Sequence, residues 1–175
     1  LTLAIGIGVI DALEDSGVAG VQLKWPNDLI ADDGKLGGIL TESQSLAAGA
    51  LTVVTGVGLN VNLGDRSNLG LEAGSVRRVA DLARLTSNLP QHEDLAARLI
   101  DSLFATFIEF EADGFDAYAR RWVERDWLFG RDLVIDTPQR QVAGTGAGIA
   151  DDGALLVDTG DGGVHRITSG SVVLS

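Results

Sequence analysis

The 175 residues contain no cysteine, so disulfide frameworks, Cys-liganded zinc and thiol catalysis are all excluded. Histidine is nearly absent too: His92 and His165 lie far apart and read as ordinary surface or loop residues, not as part of a metal cluster. No run approaches the roughly 18 uninterrupted apolar residues of a membrane span. The opening "LTLAIGIGVIDALEDSG" lacks the basic leader and cleavage signature of a signal peptide, so a cytoplasmic location is the default expectation. Positive charge is scarce. The formal net charge is -12, and no Lys/Arg-rich segment exists to neutralise phosphates, which argues against nucleic acid as the main partner. Lysine is scarcest of the charged residues: Lys24 and Lys35 are the only two, against eleven arginines. A composition that uses arginine for generic positive charge has placed both lysines within twelve residues, where arginine would not serve.

What is present is a chain of 45% hydrophobic content, enough for a real core and for one domain, or one plus a small module. Leu3, Ile7, Ile10 and Leu13 fall at helical spacing, with Gly17 where a helix C-terminus favours positive φ. "VQLKW" reads as a short strand stopped by Pro26, and "DLIADDGKLGGIL" as a hairpin turning at Asp32-Asp33-Gly34. A helix from about Pro90 to Gly114 carries the stripe Leu95, Leu99, Leu103, Phe107 and Phe110, and Phe115, Tyr118 and Trp122 predict a short helix packed beside it. After Trp127 the character changes to five short β runs separated by turns, the pattern of a small SH3-like barrel. The division is expected near residues 127–130, giving segments 1–127 and 128–175. The glycine-rich stretch Gly64–Ser75 reads as a long loop.

"LTVVTGVGLNVNL" alternates: Val53, Thr55, Val57, Leu59, Val61 and Leu63 point one way, while Val54, Gly56, Gly58, Asn60 and Asn62 point the other. The second face is almost bare backbone, which permits either a tightly packed helix or the close approach of a ligand. Gly37 is read as lying on the same face as Lys35, so that the charge borders a second stripped patch. If the two strands are neighbours, they form a floor for a flat ligand with Lys35 at its edge. A lysine ammonium is a point charge on a flexible stem, suited to following an anion that moves during reaction. Asn27 and Asp28, beside Pro26, are candidates for phosphate and Mg²⁺ contacts. The alternative is a surface hairpin with a solvated Lys35 and an Asp28 that caps a turn.

"KWPNDL", then "KLGGIL", then "GVGLNVN", followed by a small C-terminal β-unit, resembles the motif set of the biotin protein ligases over essentially the whole chain. The resemblance implies an α+β fold, a mixed sheet with packed helices akin to class II aminoacyl-tRNA synthetases, followed by the SH3-like barrel. It implies ATP-dependent formation of biotinyl-5′-AMP with Mg²⁺, and transfer of biotin to a lysine of a biotin carboxyl carrier protein. On it, Lys35 contacts the biotin carboxylate and the α-phosphate. Asn27 and Asp28 lie near the ATP phosphates and the metal, with Asp28 a Mg²⁺ ligand. Gly37, Gly56, Gly58 and Asn60 lie beneath biotin and the adenylate, Asn60 also near ATP, and the Gly64–Ser75 loop orders over the adenosine. Lys24 supports Asp28 or touches substrate, and Trp25 packs. In this family alanine is common at the position of Gly37, and the Gly-Arg-rich loop that closes over biotin precedes the first helix here. The chain therefore reads as a piece whose first part lies upstream, inactive alone, with a homodimer as the assembly to be expected. A non-catalytic binding module and a lipoate-type ligase on the same fold are the competing readings.

Overall fold

A computed structural model describes residues 1–45, 51–64, 78–160 and 162–175. Apart from Gly64, the expected loop to Ser75 lies outside the described residues. The first helix, α1 (Thr2–Asp15), is apolar on nearly every side, and its residues from Leu3 to Ile10 are all buried. A helix of that kind must be covered on all faces. One cover is α3 (His92–Asp113), which approaches so closely that a Cβ at Gly8 would collide with Thr106, while Ser102 Oγ donates to the Gly8 carbonyl at 2.7 Å. Gly17, at φ 79°, ends α1 as expected: Val18 N donates to Leu13 O and Gly17 N to Glu14 O, both at 2.9 Å, which satisfies two orphan carbonyls.

The other side of α1 rests on an antiparallel sheet in the order β1 (Gln22–Lys24), β2 (Asp28–Ala31), β3 (Gly34–Ser45), β4 (Leu51–Leu59). Asp32 and Asp33 take φ of 48° and 55°, the two left-handed residues that a tight two-residue hairpin requires. α2 (Leu82–Leu85) is a single turn capped by the buried carboxylate of Asp81, which accepts from Arg84 N at 3.1 Å. Helix α3 ends at Gly114 as expected, and α4 (Asp116–Val123) buries Tyr118 and Trp122. Among the described residues no helix is long and apolar enough to cross a membrane.

The second sheet comprises β5 (Asp132–Asp136), β6 (Gln141–Ile149), β7 (Leu155–Asp158), β8 (Val164–Ile167) and β9 (Ser171–Leu174), all antiparallel, in the order β8-β7-β6-β5-β9. Its glycines serve close packing: a Cβ at Gly146 would strike the Leu128 carbonyl, because Gly130 N donates to Gly146 O at 2.8 Å as the incoming chain crosses β6.

The two sheets meet along a polar seam on a continuous core. Trp25 Nε1 donates to Gly153 O at 3.0 Å, and Trp127 Nε1 to Asp33 Oδ1 at 3.0 Å. Arg131 stacks 4.3 Å from the Trp127 ring centroid and donates to the same Asp33 oxygen at 3.2 Å. These donors, the Trp127 indole first, hold the Asp33 carboxyl below its ordinary range. Asp126 accepts from Leu128 N at 2.9 Å, but burial pushes its carboxyl above the usual value.

Candidate functional site

Both lysines converge on one carboxylate. Lys35 Nζ is 2.5 Å from Asp28 Oδ1, and Lys24 Nζ is 3.6 Å from Asp28 Oδ2. Lys24 faces Asp28 across the β1–β2 register and is buried, with a side chain only 4% exposed, whereas Lys35 is 44% exposed. Burial pulls the Lys24 ammonium below the ordinary lysine range, and the attraction of Asp28 opposes that. The arrangement separates two tasks. Lys24 is the inner counter-charge, and Lys35 is the cation that reaches the surface.

Lys35 is turned toward Asp28 by a register shift. Leu29 pairs with Gly37 but Ile30 pairs with Lys35, so Leu36 is an extra residue on β3. Such a bulge re-aims the side chains that follow it. The expectation that Gly37 shares the open face with Lys35 is therefore corrected. Gly37 is buried, and a Cβ there would collide with the Gly58 carbonyl. Gly38 takes the expected place: it pairs with Asp28 on one side and with Gly58 on the other, and a Cβ there would stand 3.6 Å from Lys35 Nζ. Simple alternation counted from Lys35 points to Gly37. The adjacent glycine was the available sign that one more residue had to be counted.

The floor expected from Gly56 and Gly58 is present. β3 and β4 are neighbours, with Gly38 opposite Gly58 and Leu40 opposite Gly56. A Cβ at Gly56 would meet nothing within 4 Å, and one at Gly58 only Gly38 O at 3.9 Å. Among the described residues, then, no helix packs on this face. An open depression of about 410 Å³ lies over it, lined by Asn27, Gly38, Ile39, Leu40, Gly56, Val57 and Gly58. The opposite face of β4, expected to be core, is only half-buried at Val53, Thr55, Val57 and Leu59. Asn27 closes one end of the depression. Its backbone carbonyl accepts from Ile39 N and its Nδ2 donates to Ile39 O, both at 2.9 Å, so the Trp25-Pro26-Asn27 connection is pinned to β3. Trp25 is 3% exposed and packs at the seam, as expected.

Asn60 departs from expectation. β4 ends at Leu59, and the Asn60 carboxamide leaves the glycine face: Nδ2 donates to Lys35 O and to Ala80 O, both at 3.1 Å. The residue borders a separate depression of about 630 Å³ with Asn62, Gly64 and His92. Sequence reasoning treated His92 as incidental, and nothing in its local pattern marked it.

Asp28 does not fit the expected Mg²⁺ ligand. Each of its oxygens faces an ammonium, and among the described residues no group of three or more His, Cys, Asp or Glu gathers to hold a metal ion. Mg²⁺ takes carboxylate and phosphate oxygens that are free to bind it.

The site is thus a cation held at the edge of a bare-backbone floor, in an α+β unit joined to a small β-unit. Residues 1–60 match the model of the Biotin/lipoate A/B protein ligase family, and residues 133–175 match that of the Biotin protein ligase C terminal domain. The chain belongs to the biotin protein ligase family. It is 32% identical over 174 residues to the Bifunctional ligase/repressor BirA of Escherichia coli (strain K12), covering 99% of this chain and 52% of that protein. It is also 32% identical over 177 residues to the Biotin--[acetyl-CoA-carboxylase] ligase of Mycobacterium tuberculosis, covering 99% of this chain and 61% of that one. The chain thus spans about half to three-fifths of the length of these relatives. The fold matches the apo biotin protein ligase of Aquifex aeolicus with a TM-score of 0.82 at 22% identity, over 99% of this chain and 74% of that one. The same Aquifex enzyme in complex with biotin and ATP matches with a TM-score of 0.80, also at 22% identity, over 99% of this chain and 71% of that one.

Proposed function

We propose that this chain carries the acid-activating half-site of a biotin protein ligase: biotin and ATP give biotinyl-5′-AMP and pyrophosphate, and a carrier-protein lysine then attacks the mixed anhydride. The observation that carries the reading is the pair of lysines on Asp28 beside the Gly38–Gly58 floor. A flat ring rests on the floor, and Lys35 holds the biotin carboxylate and then the α-phosphate as negative charge develops there. Asp28, backed by the buried Lys24, fixes where that ammonium stands. Asn27 pins the connection that borders the floor, and Gly56 and Gly58 keep it clear. Segments 1–127 and 128–175 act as the catalytic part and the C-terminal barrel, and the acceptor is a biotin carboxyl carrier protein. Mg²⁺, if the reaction uses it, enters with the nucleotide and not on Asp28.

The match of 133–175 to a biotin ligase C-terminal domain favours biotin over lipoate. The test is pyrophosphate release by the complete polypeptide of which these residues form all or part, with biotin or lipoate supplied. Biotin-dependent release that Lys35→Ala lowers at least about 100-fold supports the reading. Equal rates in Lys35→Ala, or release driven by lipoate alone, would overturn it.

A further inference from the structure

The second sheet carries a positively charged pocket that the lysine site does not use. It is a depression of about 210 Å³ formed by the turn between β5 and β6, by His165 and Arg166 on β8, and by Thr168 and Ser169 beyond that strand. None of its nine lining residues is Asp or Glu, in a chain with 25 acidic side chains against 13 lysines and arginines. The local sign of charge is thus the reverse of the whole. The pocket shares no residue with the depressions over the glycine floor and beside Asn60.

Local bonds set the cations in place. Thr137 Oγ1 accepts from Gln139 N at 3.3 Å and from Arg140 N at 3.1 Å and donates to Arg140 O at 2.6 Å, while Thr137 N donates to the same carbonyl at 3.1 Å. The Arg140 backbone is fixed before its side chain leaves for β8. The sheet order β8-β7-β6-β5-β9 puts β7 between β6 and β8, so the 3.5 Å approach of Arg140 Nη2 to His165 Nδ1 spans the curl of the sheet. Arg166 is paired with Asp152 at 2.5 Å, with both side chains more than half exposed. An exposed pair of that kind is worth little, so this guanidinium turns to another anion at small cost.

Between them Arg140 and His165 hold one long hydrogen bond and nothing better. With an anion in the gap, Arg140 supplies a forked donor and His165 a second N–H. Buried Val142 and Ile167 form an apolar base, and low-dielectric walls around groups of one sign focus their field inward. The hydroxyls of Thr168 and Ser169 and the Gln139 amide add donors of the kind that take phosphate oxygens. The space falls below the roughly 300–1,000 Å³ of sites for drug-sized ligands. It suits a small group and not a whole nucleotide.

We propose that this pocket on the C-terminal β-unit binds a phosphate-class oxyanion between Arg140 and His165, either free as phosphate or pyrophosphate or as the phosphate tail of a nucleotide. The proposal goes beyond the ligase reading and does not depend on it.

The test is a histidine titration by NMR. The 175 residues contain just two histidines, so this chain labelled with ¹³C-histidine gives two ring ε1 signals, assigned by His165→Gln. Phosphate, pyrophosphate and ATP are added at constant pH, each against sodium chloride of equal ionic strength. The His165 signal is expected to move saturably with phosphate or pyrophosphate. Arg140→Gln should raise the half-saturating concentration at least about 10-fold, with Arg140→Lys in between. Both variants leave the turn intact, because its bonds to Arg140 use backbone atoms alone. Lys35→Ala should leave the His165 response unchanged, which separates this pocket from the lysine site. A response to ATP equal to that to pyrophosphate makes a nucleotide tail the source, and a response to phosphate or pyrophosphate alone makes it the free anion. A shift matched by sodium chloride, a response undiminished in Arg140→Gln or abolished in Lys35→Ala, or no shift with any of the three anions overturns the proposal.

Discussion

Replacing Gly58 by valine should strengthen the protein and disable it. Gly58 is in regular β4 with no positive φ, and the nearest atom a Cβ would meet is Gly38 O, at 3.9 Å. Relieving a strand of glycine and adding a β-branched side chain is worth about 0.5–1 kcal/mol, or up to roughly 4 °C in Tm for a chain of this size. The ligand suffers the opposite effect. A ring in contact with bare backbone stands about 3.5–4 Å from it, and valine methyls occupy that layer. Losing on the order of 100 Å² of apolar contact at roughly 25 cal/mol per Å² costs about 2.5 kcal/mol, close to a hundredfold in affinity. Biotin titration calorimetry and urea unfolding of the same preparation give both numbers. Retained biotin affinity in a stable variant would show that the floor is not the ligand's bed. A loss of stability beyond about 2 kcal/mol would mean that something packs on it.

Asp28→Asn removes the shared anion from a buried lysine and should cost on the order of 3 kcal/mol at neutral pH by chemical denaturation. The cost should shrink toward pH 10: the folded Lys24 pKa already lies below the ordinary value and drops further without Asp28, so the unfolded chain binds more protons in that window and stability rises with pH. Asp126 titrates the other way from most carboxylates, because burial raises its folded pKa. Between the ordinary value near 3.8 and that raised value the native state holds the extra proton, so wild-type stability falls as pH rises through the window. Asp126→Asn, which keeps an acceptor for Leu128 N, should gain on the wild type over the same range and hold its advantage above it. A constant difference between pH 4 and 8 would refute the assignment. Trp25→Phe puts a smaller ring in a buried site and loses the bond to Gly153 O, which together should cost about 2–4 kcal/mol in denaturant unfolding.

Much of this architecture is legible along the chain because its local signals agree with one another. Asp32-Asp33-Gly34 can hardly do anything but turn, the apolar rows of α1 and α3 keep helical period, and Gly17 and Gly114 stop those helices where left-handed backbone is needed. The bare face of β4 is readable from alternation alone. What fails is any inference that carries a count across an irregularity. One extra residue at Leu36 moves Lys35 from the company of Gly37 to that of Gly38, and bulges leave no compositional mark beyond a spare glycine. Asn60 is misplaced because alternation was extended one residue past the end of β4, where the side chain answers to backbone carbonyls. Nor can spacing reveal that Trp25 and Gly153 are partners, since their bond spans 128 positions.

The seam between the sheets also makes the protein its own optical probe. Its three indoles, Trp25, Trp122 and Trp127, are all at most 4% exposed. Trp25 donates across the seam, Trp127 donates to Asp33 beside it, and none lines the glycine floor. Intrinsic emission therefore watches the joint and is nearly blind to the ligand bed. An emission change that precedes loss of the far-ultraviolet circular dichroism signal on denaturation would be the two sheets parting while each is still intact.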